Sequence, residues 1–596
     1  MTSRTGDILA DVASAAEEMN ERERYAPQDE PPDVDAPDLE DLRELNTSTD
    51  KALTNDFFRR YRHLFANGDG ILHLYHSARG MWVSADVERQ LLAYSMHLGD
   101  RFYDQLADLR EQRQRAEAAG QVDEVGRLTE RMNNVSKMIL HCEKASTMSN
   151  VARFMMAKMT ALLTGRPIKM NPNHEILMCE NGVVELATGR LRSPRPEDYI
   201  TRNTQVMFKH DADPTWWSDV VLDIFDGNPR LAEFLQVWFG YCATGYVREQ
   251  CLVLLDGAGS NGKNLVYDAV SSCLGGYASV LPNSFLDITE RNVGGLDNNM
   301  LYAMAQLHGI RFAYVSELAK GAKLHEAWVK SQTGDDRMRA RFAHKDYFEF
   351  DVTHKVTIGS NDKPIINGTD EGIWRRIRLV PMRRTFTVRQ EAIDAGLADK
   401  MADKSLLTRA KSKEGREQVL AWVVAGAKKY LAHGLDRYTP PEVIVETLSY
   451  RRDQDLLGQF LQEVSEHIPP GEVQRVQSLE GGGVQSRAFA ALSIDERLRV
   501  EKQELWRIYT IWTEEHGHKP MSATMFARRI VGSQRFWVDE VGAELLMRPL
   551  EVVKSKGNAS FYRYIRLNDT GRRLRGVYMH RLQQRGPERT HLGDDL

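Results

Sequence analysis

An apolar run, a glycine-rich loop and a helix-forming run follow one another from Gln250 to Leu274, and this succession constrains the fold more than any other part of the sequence. The loop reads GAGSNGKN and extends from Gly257 to Asn264. Glycines allow several backbone N–H groups to converge on one phosphate, and the N-terminus of the following helix adds the positive end of its dipole. The succession therefore predicts a phosphate-binding loop between a buried strand and a helix.

The loop residues are the candidate ligands of a nucleotide, with ATP and Mg²⁺ as the expected cofactors. Lys263 is in position to reach the β- and γ-phosphates. Asn264 stands where a serine or threonine usually gives its hydroxyl to Mg²⁺, so we expect weaker metal binding there. Binding is not excluded, because an amide oxygen can also ligate a hard cation. A glycine-rich turn with a chance lysine is the alternative. The predicted nucleotide-binding set is Gly257, Ala258, Gly259, Ser260, Asn261, Gly262, Lys263, Asn264 and Leu265.

Two later strand-like runs end in polar residues that suit hydrolysis. The run RFAYVSE ends in Glu317, and an acid at the carboxyl edge of a strand beside the phosphate loop can polarise an attacking water and contact the Mg²⁺ of ATP. The residue before it is Ser316, where an aspartate is usual. The alternative is that Glu317 is an ordinary surface residue. Asn361 closes the run VTIGSN, where an amide can orient water against the γ-phosphate, although an asparagine there is otherwise a common turn former.

A pair of arginines follows in the segment GIWRRI, at Arg375 and Arg376. Such a pair is usually solvated or salt-bridged. The other interpretation is an arginine finger that reaches the γ-phosphate bound by a neighbouring subunit, which requires a ring.

Strands alternate with helices after Gln250, and this predicts an α/β fold with a doubly wound parallel sheet. No part of the sequence is a long uninterrupted apolar run, so we expect no membrane partner. The sequence begins without the basic and apolar regions of a signal peptide, which favours the cytoplasm, that of a bacterial host if a phage encodes the chain. The five cysteines are widely spaced, which argues against a structural zinc or a disulfide framework.

Taken in order, these motifs resemble the superfamily 3 helicases, and among them the phage, plasmid and poxvirus helicase-primase family. The segments that carry the resemblance are GAGSNGKN, VSE, VKSQTGDDRMRARFAHKDYFEF, TIGSNDKP and TDEGIWRRIRLVPM. The resemblance extends roughly over residues 55–465. It implies a P-loop ATPase of the AAA+ type that assembles as a hexameric ring, hydrolyses ATP and moves 3′ to 5′ on single-stranded DNA during replication.

The resemblance also implies a role for each matching position. Lys263 would bind phosphate, Glu317 would be the hydrolytic acid, and Asn361 would sense the γ-phosphate. The finger would be Arg375 or Arg376.

For DNA, the resemblance implies a β-hairpin that enters the ring's channel before the sensor strand. In this sequence it falls on Arg341, His344 and Lys345, and cations at a hairpin tip can hold successive phosphates without reading the bases. A solvated basic loop is the alternative.

Composition and the resemblance together divide the chain into five predicted parts. Residues 1–50 carry 15 acidic and 4 basic side chains with several prolines, which is typical of a disordered segment. The parts are residues 1–50 as an acidic tail, 51–210 as an N-terminal helicase-associated α+β or helical domain, 211–385 as the ATPase core with a preceding helical collar, 386–440 as its helical extension, and 441–596 as a winged-helix-like domain.

The leading hypothesis is a replicative helicase of a phage, plasmid or mobile element that acts on single-stranded and forked DNA. The first 50 residues are too few for a priming domain, so we expect a separate primase or polymerase as a further partner. The alternative is an origin-binding or replication-initiation protein that assembles with ATP and unwinds little, and the residues Asn264 and Ser316 favour it.

Overall fold

A computed structural model describes most of the chain between residues 50 and 584. The described residues are 50–68, 71–84, 91–92, 95, 99–163, 168–282, 298–324, 326–334, 337–341, 347–366, 371–467, 499–532, 536–538, 544–546, 552–554, 560–563 and 565–584. They fall into two compact units, one within Met1–Pro364 and Arg376–Ile444, and one within Ile365–Arg375 and Val445–Leu596. The finer five-part division stays a prediction.

The first unit opens with helices and a small antiparallel sheet of order β1-β2-β3. Helical spacing of apolar residues predicts long helices that are interrupted near Gly120. The chain does break there, with Gly120 in the left-handed region at φ 68°, and it breaks a second time after Cys142. The elements are α1 (Asp50–Tyr61), β1 (Phe65–Gly68), β2 (Ile71–His76), β3 (Met81–Val83), α2 (Asp100–Ala118), α3 (Val122–Cys142) and α4 (Ala145–Leu163).

A β-hairpin and two helices come next, namely β4 (Ile176–Cys179), β5 (Gly182–Glu185), β6 (Arg190–Arg192), α5 (Thr215–Ile224) and α6 (Pro229–Ala243). Two β-rich runs flank Asn181-Gly182 and predict a hairpin there. It is confirmed, since Cys179 pairs with Gly182 in antiparallel register. Residues 215–248, whose apolar bulk predicts helical structure, contain these two helices. Asn228 begins the second by accepting hydrogen bonds from the backbone N–H groups of Arg230 and Leu231 at 3.0 and 3.3 Å.

A five-stranded parallel sheet of order β13-β7-β12-β9-β8 forms the centre of the first unit. The predicted α/β class with a parallel sheet is confirmed. Its elements and their neighbours are β7 (Leu252–Asp256), α7 (Lys263–Leu274), β8 (Ala278–Val280), α8 (Asn298–Gln306), β9 (Phe312–Val315), α9 (Glu326–Thr333), β10 (Arg337–Arg341), β11 (Tyr347–Asp351), β12 (Lys355–Ser360), α10 (Glu371–Trp374, in the second unit) and β13 (Ile377–Pro381).

The first unit ends with β14 (Phe386–Thr387), α11 (Gln390–Asp394), β15 (Lys400–Met401), α12 (Ser405–Lys411) and α13 (Lys413–His433). Helices α6 and α13 approach each other closely at two glycines. A Cβ at Gly240 would lie 2.1 Å from the backbone nitrogen of Ala427, and one at Gly426 would lie 2.1 Å from the carbonyl oxygen of Gln236. Trp238 on α6 is fully buried and donates to the Thr357 hydroxyl of β12 at 2.9 Å, so this helix pair is anchored to the sheet that carries the glycine-rich loop.

The second unit consists mainly of helices and short strands. Its elements are α14 (Pro441–Gln454, which begins in the first unit), α15 (Leu456–Val464), β16 (Ser465–His467), β17 (Arg499–Glu501), α16 (Lys502–Glu515), α17 (Ala523–Gly532), β18 (Phe536–Val538), β19 (Glu544–Leu546), β20 (Val552–Lys554), β21 (Ser560–Arg563), β22 (Ile565–Leu567) and α18 (Asp569–Gln584). Rings of Tyr509 and Phe526 pack 4.9 Å apart and join α16 to α17. Arg573 and Arg581 of α18 form ion pairs with Glu515 and Glu514 of α16 at 3.0 and 2.8 Å. A winged helix stays a prediction for this unit.

Among the described residues, no helix has the length and hydropathy needed to span a bilayer. All five cysteines lie in the described part of the chain, and none forms a disulfide.

Candidate functional site

The loop from Gly257 to Gly262 joins β7 to α7 through backbone conformations that favour glycine. Gly262 has a φ of 86°, and a Cβ there would also lie 2.9 Å from the Ile224 side chain. A Cβ at Gly257 would lie 2.4 Å from the carbonyl oxygen of Met382. The glycines are therefore required both by the turn of the chain and by the close packing around it.

Lys263 is the first residue of α7, and its side chain crosses back under the loop. Its Nζ donates hydrogen bonds to the carbonyl oxygens of Gly257 and Ser360 at 2.6 and 2.9 Å and to Asn361 Oδ1 at 2.9 Å. Burial lowers the pKa of Lys263, while the nearby carboxylates of Asp256 and Glu317 act in the opposite direction. All three ammonium protons thus meet acceptors at the carboxyl edge of the sheet.

Asn361 connects this lysine to the predicted hydrolytic acid. Its Nδ2 donates to Glu317 Oε1 at 2.6 Å, so Lys263, Asn361 and Glu317 form one chain of hydrogen bonds. Asn361 and Glu317 are both exposed, although they follow buried strands. The structure therefore brings together three residues that lie far apart in the sequence.

These residues line a cavity of about 180 Å³ over the loop. Both positions at which the sequence departs from the usual metal ligands, Asn264 and Ser316, lie in its wall. The full lining is Gly259, Ser260, Asn261, Gly262, Lys263, Asn264, Leu265, Ser316, Glu317 and Asn361. Of the predicted nucleotide-binding residues, Gly257 contributes its carbonyl oxygen to Lys263, and Ala258 lies in the loop beside it.

Sequence reasoning missed a second and larger cavity of about 840 Å³, which shares Ser260, Gly262 and Leu265 with the first. Its other walls come from α5, from β14 and β15, and from the start of α12. The apolar side chains in the lining are Val220, Ile224, Leu265, Phe386, Val388, Met401 and Leu406. At its rim, Asp223 Oδ1 accepts from Arg384 Nη1 at 2.9 Å and from Lys400 Nζ at 2.8 Å.

Sequence reasoning also missed Asp256, the last residue of β7. Its carboxylate opposes the lowering of the Lys263 pKa by burial and lies 4.0 Å from Lys363 Nζ. An acid directly before the phosphate loop was the available signal.

The two candidate finger residues have different surroundings. Arg376 is 9% exposed, and its Nη1 donates to the Thr333 hydroxyl at 2.8 Å. Arg375 is exposed and belongs to the second unit. The sequence alone gave no basis for separating the two.

The predicted DNA-binding hairpin corresponds to β10 and β11, which pair in antiparallel register from Arg337 with Asp351 to Arg341 with Tyr347. Arg341 is therefore the last described residue before the tip. His344 and Lys345 lie outside the described residues, so their assignment stays a prediction.

Comparison with known proteins gives one family and several distant relatives. Residues 80–226 match the family model described as D5 N terminal like. Over 308 residues the chain is 25% identical to "Putative helicase L207/L206" of Acanthamoeba polyphaga mimivirus, which covers 50% of the chain and 31% of that protein. Over 314 residues it is 25% identical to "Putative primase C962R" of African swine fever virus, which covers 51% of the chain and 32% of that protein.

The chain thus spans about a third of the length of these curated relatives. Among solved structures, the C-terminal region of NrS-1 aligns with a TM-score of 0.32 and 12% identity, over 61% of the chain and 77% of that structure.

Proposed function

The chain belongs to the D5-like family of superfamily 3 helicase-primases, and from this premise we propose that it is an ATP-dependent DNA helicase that serves the replication of a phage, plasmid or mobile element. The observation that carries the proposal is the hydrogen-bonded chain of Lys263, Asn361 and Glu317 in one cavity over the glycine-rich loop. A cation, an amide and a carboxylate in this order are what hydrolysis of a γ-phosphate requires.

The two adjoining cavities suit the two ends of ATP. The phosphates occupy the cavity over the loop, where Lys263 exchanges its carbonyl acceptors for phosphate oxygens. The base and ribose occupy the larger cavity, whose apolar walls include Phe386 and Met401. Since Ser260, Gly262 and Leu265 line both cavities, one molecule can occupy them together.

Hydrolysis then follows from a change of partners at Asn361. Its amide now holds Glu317, and Lys263 holds its oxygen. A γ-phosphate competes for Lys263 and for the Asn361 amide, which leaves the Glu317 carboxylate able to polarise the attacking water.

The oxygen-bearing side chains of Asn264, Ser316 and Glu317 line the same cavity and suit a hard cation. They would hold Mg²⁺, which neutralises charge on the phosphate oxygens.

The proposed helicase acts as a ring, with six subunits by family resemblance, and moves 3′ to 5′ on single-stranded DNA. Each site is then completed by an arginine from the next subunit. Of the two candidates we favour Arg375, because its side chain is exposed whereas that of Arg376 is buried against Thr333. Arg341, His344 and Lys345 of the hairpin contact the DNA phosphates in this proposal.

The direct test is ATP-dependent unwinding of a forked duplex by the wild type and by Lys263→Ala. We expect the substitution to abolish unwinding. Lys429→Ala is a matched control, because Lys429 on α13 pairs with Glu233 at the surface at 2.7 Å and should unwind as the wild type does. Equal unwinding by the wild type and Lys263→Ala would overturn the proposal.

A second candidate function is an origin-binding protein that uses ATP for assembly and unwinds little. The observation that favours it is that an amide and a hydroxyl, from Asn264 and Ser316, stand in the cavity at the usual metal-ligand positions. Tight binding of duplex DNA through residues 441–596, without stimulation of ATP turnover by DNA, would select this function.

A further inference from the structure

The hairpin of β10 and β11 has two faces of opposite character. One face packs inward through Met338, Ala340, Phe348 and Phe350, all buried, and the His308 ring lies 5.7 and 5.3 Å from the two phenylalanine rings. The residues between them in each strand lie on the other face, namely Arg337, Arg339, Arg341, Tyr347, Glu349 and Asp351. The buried face therefore fixes the orientation of the outward one.

Tyr347 is the aromatic residue of the outward face, and 48% of it is exposed. The guanidinium carbons of Arg339 and Arg341 lie 4.5 and 5.1 Å from the centre of its ring. Cation–π attraction of this kind holds the ring in place and keeps two positive charges beside it. A large aromatic surface is thus presented to solvent together with cations.

Charge on this face is uneven along the hairpin. At its base, the Asp351 carboxylate forms ion pairs with Arg337 at 3.2 Å and with Lys169 at 2.6 Å, so it neutralises charge there. Glu349 lies opposite Arg339 in register, whereas the residue opposite Arg341 is Tyr347. The carboxylates of this face thus lie toward the base of the hairpin, and Arg341 lies with Tyr347 at the end nearer the tip.

We propose that Tyr347, with Arg339 and Arg341, is a stacking platform for single-stranded DNA. A base stacks on the Tyr347 ring, and the two arginines contact the phosphates on either side of it. An aromatic ring set among cations binds unpaired bases without regard to sequence, because every base has a π-face. Paired bases in a duplex do not expose that face, so the platform selects single strands.

This inference rests on the proposed function and adds to it a contact of a different kind. Phosphate contacts at the hairpin tip act through charge alone. Stacking on the Tyr347 ring makes the affinity for DNA depend on the presence of a base. The chain would therefore bind a normal strand more tightly than one with abasic sites.

The test measures binding of a labelled oligothymidine to the full chain with a non-hydrolysable ATP analogue, by fluorescence anisotropy. We expect Tyr347→Ala to weaken binding by about tenfold or more, on the scale of one lost base stack, and Tyr347→Phe to bind as the wild type does. Tyr103→Ala is the matched control, since Tyr103 on α2 is 50% exposed. An oligomer of abasic residues should bind the wild type more weakly and should not respond to Tyr347→Ala.

Salt separates stacking from charge. Arg341→Gln should reduce the slope of log affinity against log salt concentration by about one, whereas Tyr347→Ala should leave that slope unchanged. A smaller slope for Tyr347→Ala would overturn the platform, because the ring would then act only by positioning charge. Photo-crosslinking of the wild type to a 5-iodouracil oligomer adds a measurement that needs no variant, and crosslinks that all avoid Tyr347 would also overturn it.

Failure of the platform can be distinguished from failure of the proposed function. If the wild type neither binds single strands nor hydrolyses ATP faster with them, the proposed function fails. If it does both, but Tyr347→Ala and Tyr103→Ala bind alike, only the platform fails. A change in particle size for Tyr347→Ala with unchanged DNA binding would identify this face as a contact between copies of the chain, which also overturns the platform.

Discussion

Each end of strand β12 has a buried lysine, and the two lysines have different surroundings. At its carboxyl end, Lys263 bonds to Ser360 and to an exposed amide, and it lines the cavity over the phosphate loop. At its amino end, Lys355 is 2% exposed and donates to the backbone carbonyls of Thr244 and Thr353, the latter at 2.8 Å. The same side chain thus has exchangeable partners at one end of the strand and fixed partners at the other.

The amino end is a structural cluster of buried cations. Beside Lys355, Arg311 donates through Nη1 to the carbonyls of Ile176 and Ala243, both at 2.7 Å. Helix α6 ends at Ala243, so the two cations meet carbonyls at the negative end of its dipole. Burial lowers the pKa of Lys355 well below its usual value, and the charge of Arg311 acts in the same direction. A buried lysine therefore identifies a site only when its acceptors can be replaced by a ligand.

Removing Lys263 should produce the largest effect on activity and little effect on stability. We expect Lys263→Ala to reduce ATP turnover by at least about a hundredfold, because the γ-phosphate loses its cation. Lys263 and its acceptor Asn361 line a cavity that water can enter, and water can take the place of Nζ there, so we expect the free energy of unfolding to change by less than about 1 kcal/mol. Turnover and chemical denaturation measure the two quantities, with Lys429→Ala as the control.

Removing Lys355 should reverse this pattern. Lys355→Ala leaves the carbonyls of Thr244 and Thr353 without a donor in a dry interior, and we expect a loss of about 3 kcal/mol in the free energy of unfolding. ATP affinity of the folded protein should stay unchanged, as measured by calorimetry below the melting temperature. Wild-type stability combined with lost ATP binding would show that the contrast between the two ends is wrong.

The sequence predicts a site at Lys263 and predicts nothing for Lys355, and the difference has a physical reason. Lys263 belongs to a local pattern in which a few consecutive residues, with Glu317 and Asn361 at later strand ends, already predict phosphate chemistry. Lys355 has no such pattern, since its partner Thr244 lies at the end of a helix far back in the chain. The packing of α6 against the sheet brings the two together, and a single sequence does not specify that packing.

The same limit applies to the larger cavity, where we propose that the base binds, and to the arginine pair. Val220 and Met401 face one cavity only because α5 and β15 fold to the same side of the loop, which no local pattern indicates. Adjacent arginines are equivalent in a sequence, and only burial against Thr333 separates Arg376 from Arg375. The parallel sheet and the glycine-rich loop between β7 and α7 were predictable because strand, glycine loop and helix are consecutive.

Acid should destabilise the amino end through His354, which is next to Lys355. Burial lowers the pKa of His354 to about 3, and Lys355 adds to the effect. Because the folded pKa lies below the unfolded value of about 6.5, the folded state is fully stable above pH 6.5 and loses stability as the pH falls toward 3. We expect a loss of about 2 to 3 kcal/mol by pH 4.5, measured by denaturation.

His354→Gln tests this pH dependence, and His433→Gln is its control. His354→Gln should make the decline between pH 6.5 and 4.5 shallower, whatever its effect on stability at neutral pH. Part of the decline should remain, because burial also lowers the pKa of His174 to about 4. His433 is an exposed residue of α13, so His433→Gln should decline as the wild type does. An unchanged decline in His354→Gln would place the acid sensitivity elsewhere in the molecule.

The smallest predicted effect is at the larger cavity, where Met401 is 43% exposed and lines the wall. Met401→Ala removes apolar surface from the base and should weaken ATP binding about fivefold, or about 1 kcal/mol, with turnover at saturating ATP unchanged. Leu397→Ala in the same segment is a matched control, because Leu397 is 78% exposed and is not part of the cavity lining. Equal ATP affinities for the two variants would mean that the larger cavity does not hold the base. The nucleotide would then contact only the residues around the glycine-rich loop.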